Sequence, residues 1–182
     1  MPRDFDLPSA LAVGVRSRED AWSFIRGFAD AWVKPLRDGD GFSRAEIDAA
    51  QDRIGFELPL ALCEALALFG KRHDLCSTMQ QLLPPERLHL YDSGLLVFYA
   101  ENQGAWECCI RRLDAGLDDP PVLLWPTCAD EEHQLGVAWF DKLSTACIEI
   151  VLTESLYSGD KALTLYGELL PEEIPLVELV PL

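Results

Sequence analysis

Two histidine–cysteine pairs are the first places in the chain where a metal could bind. His73 and Cys76 are separated by two residues, and Cys128 and His133 lie further along, in a predicted loop. Imidazole and thiolate are the usual ligands of zinc, and this spacing suits one half of a tetrahedral site. No further Cys or His pair stands at ligand spacing. Because chance pairs are common, we predict no metal and no cofactor, with a loop histidine at 73 and a half-buried thiol at 76.

A cysteine nucleophile is the second chemistry that the residues permit. Such a cysteine needs a basic partner, which need not be its neighbour in sequence. Cys109 or Cys147 with His133 would be the pair. Both cysteines lie in apolar runs, where a thiol stays protonated and inert. The sequence also lacks a nucleophile elbow, a phosphate loop, a dinucleotide-binding pattern and a His-Glu-x-x-His motif. We predict that the chain is not an enzyme, and a Cys/His enzyme is the distant alternative.

A short polar cluster follows one of the apolar segments. Glu101 and Asn102 are followed by Gln103, and Asn102 is the single asparagine of the chain. One interpretation is a binding cluster at the end of a strand, with Glu101 and Asn102 facing a partner. The other is structural, with Asn102 in a left-handed turn and the amides holding nearby backbone.

The charge distribution points to the class of partner. The chain has 31 acidic and 15 basic residues, and residues 92–182 hold 17 of the acids against four bases. Such a field repels nucleic acid and anionic membranes and attracts basic proteins. We predict no nucleic-acid or membrane partner. The alternative is that the acidity only maintains solubility. The predicted docking residues for a basic protein are Asp118, Asp119, Asp130, Glu131 and Glu132.

The location follows from what the sequence lacks. The first six residues are partly acidic, unlike a secretory signal, and no apolar run reaches the ~20 residues that cross a bilayer. The six cysteines show no framework spacing of a disulfide scaffold. These features predict a cytoplasmic protein.

Helical periodicity and capping residues predict the helices. Ser17 with Asp20 and Ser43 with Glu46 have the spacing of capping boxes. Gly55 follows the second periodic segment and suits a helix end. Apolar residues at helical spacing continue in two later segments. The predicted helices cover residues 17–33, 43–55, 59–70 and 141–157.

The middle of the chain changes to a strand pattern. The segment Leu95 to Tyr99 is apolar on both faces, which is typical of a central strand. Short apolar runs separated by Asp/Gly and Asn/Gly turns flank it on both sides. They predict strands near residues 88–91, 95–100, 105–110, 122–125 and 135–140. Helices first, then a meander, then a closing helix indicate an α+β fold with one mostly antiparallel sheet.

Four short motifs occur in order along the middle of the chain. They are IGFELP before a helix that ends at a glycine, YAENQG after a strand, DPPV before the next strand, and WF before the closing helix. In this order they resemble the SUKH superfamily, which contains Smi/Knr-like regulators and bacterial toxin-immunity proteins. Phe69 stands where the family has an asparagine before the glycine. The resemblance covers residues 43–157, which we predict to be a SUKH-like core. Residues 1–42 are a predicted helical extension packed on it, and residues 158–182 are a predicted Pro-rich tail.

The resemblance implies a binding domain without catalytic residues. In bacteria such a domain is often an immunity protein that neutralises a toxin, frequently a nuclease, by stoichiometric binding. With the charge pattern, this leads us to expect an acidic surface that covers the active-site rim of a basic toxin. An intracellular adaptor or regulator with the same fold and no toxin partner is the alternative.

Overall fold

The computed structural model describes residues 5–127 and 136–158. They form six α-helices and six strands, with 3₁₀ turns at Pro85–Arg87 and Arg112–Asp114. The helices are α1 Leu7–Val13, α2 Arg18–Trp32, α3 Arg44–Ile54, α4 Leu60–Phe69, α5 His73–Cys76 and α6 Leu143–Tyr157. The strands are β1 Gln81–Leu82, β2 His89–Leu90, β3 Leu95–Ala100, β4 Trp106–Arg111, β5 Val122–Pro126 and β6 Val137–Phe140.

All the strands belong to one antiparallel sheet. Its order is β1-β3-β4-β5-β6, and β2 pairs with the opposite end of the same edge of β3. The last four strands follow each other in space as they do in the chain. The predicted α+β class and antiparallel sheet are therefore confirmed. The predicted strands and the closing helix are also present, with ends that shift by one or two residues.

Both predicted capping boxes are present. The Ser17 hydroxyl accepts the Asp20 N–H at the start of α2, and Asp20 accepts the Ser17 N–H in return. The same reciprocal bonds join Ser43 and Glu46 at the start of α3. Each box satisfies N–H groups that have no partner inside the helix, which fixes where the helix begins.

Three short elements were not predicted from the sequence. They are α1, α5 and β1, each seven residues or fewer. Residue 73 was expected in a loop and the thiol of Cys76 half-buried, and both expectations are wrong. His73 begins α5, and Cys76 is fully buried with Sγ 3.1 Å from the Arg72 carbonyl oxygen. Four residues are too few to display a helical period, and tertiary packing of Leu75 and Cys76 holds this turn in place.

Helix α6 lies at the centre of the fold. Eight of its fifteen residues are buried and form one wide face, whereas Glu149 and Leu156 are exposed on the opposite side. It contacts α2, α4, α5 and β6. The buried residues of α2, α3, α4, the sheet and α6 form one apolar cluster. Among the described residues, no helix combines the length and apolarity needed to cross a membrane.

A buried carboxylate joins α6 to the start of the sheet. Glu154 is completely buried, and its oxygens accept the backbone N–H groups of Thr78, Met79 and Gln80 at 2.6, 2.6 and 2.9 Å. The phenol of Tyr99 on β3 donates a fourth bond at 2.7 Å. Burial, followed by the nearby Glu154 charge, raises the pKa of Tyr99 above its ordinary value, so the phenol keeps its proton.

Removal of this carboxylate is expected to destabilise the whole domain. Glu154→Ala leaves three backbone N–H groups and one hydroxyl without an acceptor, so we expect a loss of about 3–5 kcal/mol in the free energy of unfolding. Glu154→Gln keeps the shape and one acceptor oxygen, and its loss should be smaller. Urea denaturation followed by circular dichroism measures both.

Glu149→Ala is the matched control, because Glu149 is exposed on the same helix. It should change the free energy of unfolding by no more than about 0.5 kcal/mol. A Glu154→Ala protein as stable as this control would contradict the structural role of the buried carboxylate.

Candidate protein-binding surface

In the predicted polar cluster at residues 101–103, the Glu101 side chain forms hydrogen bonds with the backbone of the same turn. Glu101 Oε2 accepts the N–H groups of Gln103 at 2.9 Å and Ala105 at 3.0 Å. The Asn102 N–H donates to the side-chain oxygen of Gln80 at 3.0 Å. The turn therefore ties β3 and β4 to the segment that precedes β1, and the carboxylate of Glu101 has a structural task. The side chain of Asn102 remains exposed.

The expected left-handed conformation of Asn102 is wrong. No residue other than glycine has a positive φ among the described residues, and the turn has its positive φ of 72° at Gly104. Glycine adopts this region without steric cost, whereas asparagine only tolerates it. With glycine two residues away, Asn102 has no need to take that conformation.

Asp119 and Asp118 are neighbours with different roles. Both oxygens of Asp119 contact Ser144, accepting its N–H at 2.8 Å and its hydroxyl at 2.6 Å. Lys142 at the N-cap of α6 supplies no capping side chain, so Asp119 caps α6 from outside the helix. Its negative charge also suits the positive end of the helix dipole. Asp119 therefore has a structural role.

Asp118 points to solvent instead. Its side chain is 74% exposed, and its nearest cation is Arg18 at 3.7 Å. Its carbonyl oxygen accepts the Ala61 N–H at 2.8 Å, which holds the backbone of this turn on the first turn of α4. The carboxylate is thus presented from a fixed backbone, and its one long ion pair leaves it largely exposed to solvent.

A small polar network lies next to the turn that carries Asp118. Arg18 Nε is 2.6 Å from Glu64 Oε2, and the indole N–H of Trp22 donates to the same oxygen at 2.7 Å. The arginine contact is an ion pair without the alignment of a hydrogen bond. Because the Arg18 side chain is only 16% exposed, its charge is poorly accessible, and the network serves to join α2, α4 and the Asp118 turn.

Three exposed leucines stand near Asp118 in the chain or in space. Leu113 is 79% exposed, Leu117 is 52% exposed, and Leu60 is 41% exposed. Leu60, Leu117, Glu57 and Asp118 line one groove of about 550 Å³ between the start of α4 and the turn at 115–118. We call these four residues the leucine rim. Single exposed leucines are ordinary, but apolar side chains from two segments around one groove are typical of binding surfaces.

Of the leucine rim, sequence reasoning predicted Asp118 as a docking residue but missed Leu60, Leu117 and Glu57. Leu60 begins an apolar helix whose other leucines are mainly core residues, so its type alone does not mark it as exposed. Leu117 did carry a signal, because it stands alone between Gly116 and Asp118 in a turn. A leucine isolated in a Gly/Asp turn has no periodic partners with which to reach a core.

The remaining predicted docking residues, Asp130, Glu131 and Glu132, lie outside the described residues. Eight of the 17 acids between residues 92 and 182 also fall there, including these three. Of the other nine, Glu101, Asp119 and Glu154 are used as internal acceptors. The described part of the second half therefore contributes a smaller accessible negative charge than the composition indicates.

The cysteines proposed for catalysis are set in the core. Burial raises the pKa of the Cys76 and Cys109 thiols to about 12 and also raises that of Cys147. A thiol is a nucleophile or metal ligand only as a thiolate. His133 and Cys128 lie outside the described residues, so neither histidine–cysteine arrangement through them has a geometry here. Within 5–127 and 136–158, no group of three His, Cys, Asp or Glu side chains is placed to hold a metal.

Substitution of Asp119 and of Asp118 should change the free energy of unfolding by different amounts. Asp119→Ala removes the cap of α6, and we expect a loss of about 1–2 kcal/mol in the free energy of unfolding. Asp118→Ala, its matched control, should cost no more than about 0.5 kcal/mol because the side chain is exposed. Thermal and urea unfolding of the two variants measure this. Equal effects would refute the division of roles.

The buried thiols should react slowly while the protein is folded. On brief exposure to iodoacetamide at neutral pH, we expect Cys76, Cys108, Cys109 and Cys147 to stay unmodified, and to be alkylated once urea unfolds the chain. Peptide mass spectrometry locates the labels. Rapid modification of Cys109 or Cys147 in the native protein would revive the cysteine-nucleophile hypothesis.

Comparison with known proteins adds no relative. No family model, curated protein or solved structure gives a significant match to the chain. The resemblance to the SUKH superfamily therefore rests on the four ordered motifs in the sequence alone.

Proposed function

We propose that this chain is a cytoplasmic, non-enzymatic protein-binding domain of SUKH type that neutralises a basic toxin, such as a nuclease, by stoichiometric binding. The leucine rim is the centre of the proposed interface. The observation that carries the proposal is the presence of two exposed leucines and two exposed carboxylates around one groove, on backbone that is held in place from below.

The rim has the two components that a protein interface needs. Apolar anchors supply most of the affinity at interfaces, and Leu60 and Leu117 are the anchors of this groove. Charges at the edge mainly set the rate of encounter and the choice of partner, which is the role we give to Glu57 and Asp118. The acidic residues at 130–132 add to the same attraction in the proposal.

Fixed backbone favours tight binding by this rim. The Ala61–Asp118 bond and the Asp119–Ser144 cap hold the 115–119 turn against α4 and α6. A surface that is already ordered loses little conformational entropy when a partner docks. Neutralisation would then follow by occlusion, since a bound domain covers the rim of an active site without any chemistry of its own.

Buried thiols support the non-enzymatic part of the proposal. Burial raises the pKa values of the core thiols and of Cys63, which lines the groove of the leucine rim, and no histidine lines that groove. Occlusion needs none of these groups to react.

Capture of the partner is the first step of the test. Tagged protein is expressed in its native organism, and co-purifying proteins are identified by mass spectrometry. We expect a basic protein at equal stoichiometry whose expression alone inhibits growth and whose inhibition is relieved by this chain. A captured partner without toxicity would favour the adaptor or regulator alternative.

Variants of the rim then locate the interface. Leu117→Ala should speed dissociation by about tenfold or more and abolish protection, because an anchor is lost. Asp118→Lys, and separately the reversal of Asp130, Glu131 and Glu132 to Lys, should slow association by about tenfold at low salt. Surface plasmon resonance at several salt concentrations separates the two rates.

Glu149→Lys is the matched control for charge, because it makes the same reversal on an exposed residue outside the rim. It should change association less than Asp118→Lys. Association that ignores salt and all of these reversals would show that the acidity only maintains solubility.

A further inference from the structure

A second cleft has the opposite chemical character from the leucine rim. It has a volume of about 470 Å³ and lies between α2, the connection from α2 to α3, and the end of α4. Arg26, Arg37 and Lys71 line it from three different segments, and Asp38 is its one acidic lining residue. None of its lining residues belongs to the leucine rim.

The concentration of cations runs against the composition. The described residues include 22 acids and 13 bases, so three bases with one acid around a single cleft is a reversal of the general trend. Most other arginines of the described chain have carboxylate or carbonyl partners, as Arg72 and Arg53 do. Lys71 pairs with Glu46 at 3.1 Å.

Arg26 and Arg37 do not follow this trend, nor do Arg16 and Arg112, which lie outside the cleft. Among residues 5–127 and 136–158, neither guanidinium of the cleft has a hydrogen bond or an ion pair. Arg37 uses only its backbone, whose N–H donates to Asp40 Oδ2 at 2.8 Å. Two guanidinium groups on one cleft therefore keep all their donors available. A guanidinium has five N–H donors in a planar fork that matches the oxygens of a phosphoryl group.

The connection that carries Arg37 is rigidly held. Arg72 donates to Asp40 at 3.0 Å, and to the Lys34 carbonyl at 3.1 Å. The Phe42 N–H donates to the Leu66 carbonyl at 2.9 Å. At Gly41 a Cβ would lie 1.7 Å from the Ala67 carbonyl oxygen, so only glycine permits this approach of backbone to α4. The cleft is thus a preformed feature of the fold.

The same connection offers free backbone donors. The N–H groups of Gly39 and Gly41 make no hydrogen bond within the described part of the chain. Backbone N–H groups next to arginines are the usual means by which proteins bind phosphate. Leu36, Phe42 and Leu68 add apolar wall, and the volume exceeds what an inorganic ion fills.

From this arrangement we propose that the cleft binds the phosphoryl group of a small organic phosphate or diphosphate. Arg26 and Arg37 hold the anionic oxygens, and the apolar walls accommodate the organic part of the ligand. The site is independent of the proposed toxin-binding surface, and it gives the domain a small-molecule ligand in addition to a protein partner.

Calorimetric titration with pyrophosphate at low salt tests the proposal. We expect saturable binding with one site, and about tenfold weaker binding for Arg26→Ala and for Arg37→Ala, since each variant removes a charge-assisted donor to the phosphoryl oxygens. Both side chains are exposed and unpartnered, so the variants should fold normally, which unfolding temperatures check.

Lys34→Ala is the matched control, because it removes one exposed positive charge close to the cleft without lining it. Its affinity should change by less than about threefold, as expected for screened long-range attraction. Absence of saturation at millimolar pyrophosphate overturns the proposal. So does an equal loss in Lys34→Ala, or equal binding of citrate, which would mean general attraction of anions instead of a phosphoryl site.

Discussion

The structure depends on how one buried negative charge is accommodated. Glu154 lies on the most enclosed helix of the fold, where an ionised carboxylate without partners would be too costly to keep. Three consecutive backbone N–H groups and one phenol donate hydrogen bonds to it, so both carboxylate oxygens have partners. The segment at 78–80 has no regular structure of its own. Its path is set by the carboxylate, and that path determines where β1 meets β3 and how the 101–104 turn reaches Gln80.

Other carboxylates also accept backbone N–H groups, and this affects which acids remain available on the surface. Carboxylates at 101, 119 and 154 each satisfy backbone N–H groups that no other side chain reaches. Many other carboxylates stay exposed across the described surface, and two of them, Glu57 and Asp118, line the groove beside exposed leucines. The net charge counts every acid equally. In the fold, Glu154 is buried and Glu101 and Asp119 accept backbone N–H groups, while Glu57 and Asp118 line the groove. The function we propose depends on the latter pair.

Sequence reasoning predicted the elements whose signals are local. Capping boxes at Ser17 and Ser43 and the apolar run of β3 carry their own pattern, and each element occurs where that pattern predicted it. The short α5, by contrast, is held in place because the rest of the core encloses Leu75 and Cys76. This enclosure involves residues distant in the chain, so no short window of sequence predicts it. Leu60, Leu117 and Glu57 of the leucine rim were missed for a related reason, since exposure is a property of the assembled surface. The acids were predicted as a class, but which of them bond to backbone required the fold.

The close approach of Gly41 to Ala67 bears on whether the protein is modular. The boundary between the predicted N-terminal extension and the SUKH-like core falls one residue later, at a place where backbone touches backbone and the Phe42 N–H reaches Leu66. Buried residues of α2, including Ile25 and Phe28, belong to the same apolar cluster as α4 and α6. A chain that began at residue 43 would expose that cluster and leave a carbonyl without its donor. The segment from α2 to Phe42 is consequently part of the same folded unit as α4 and α6.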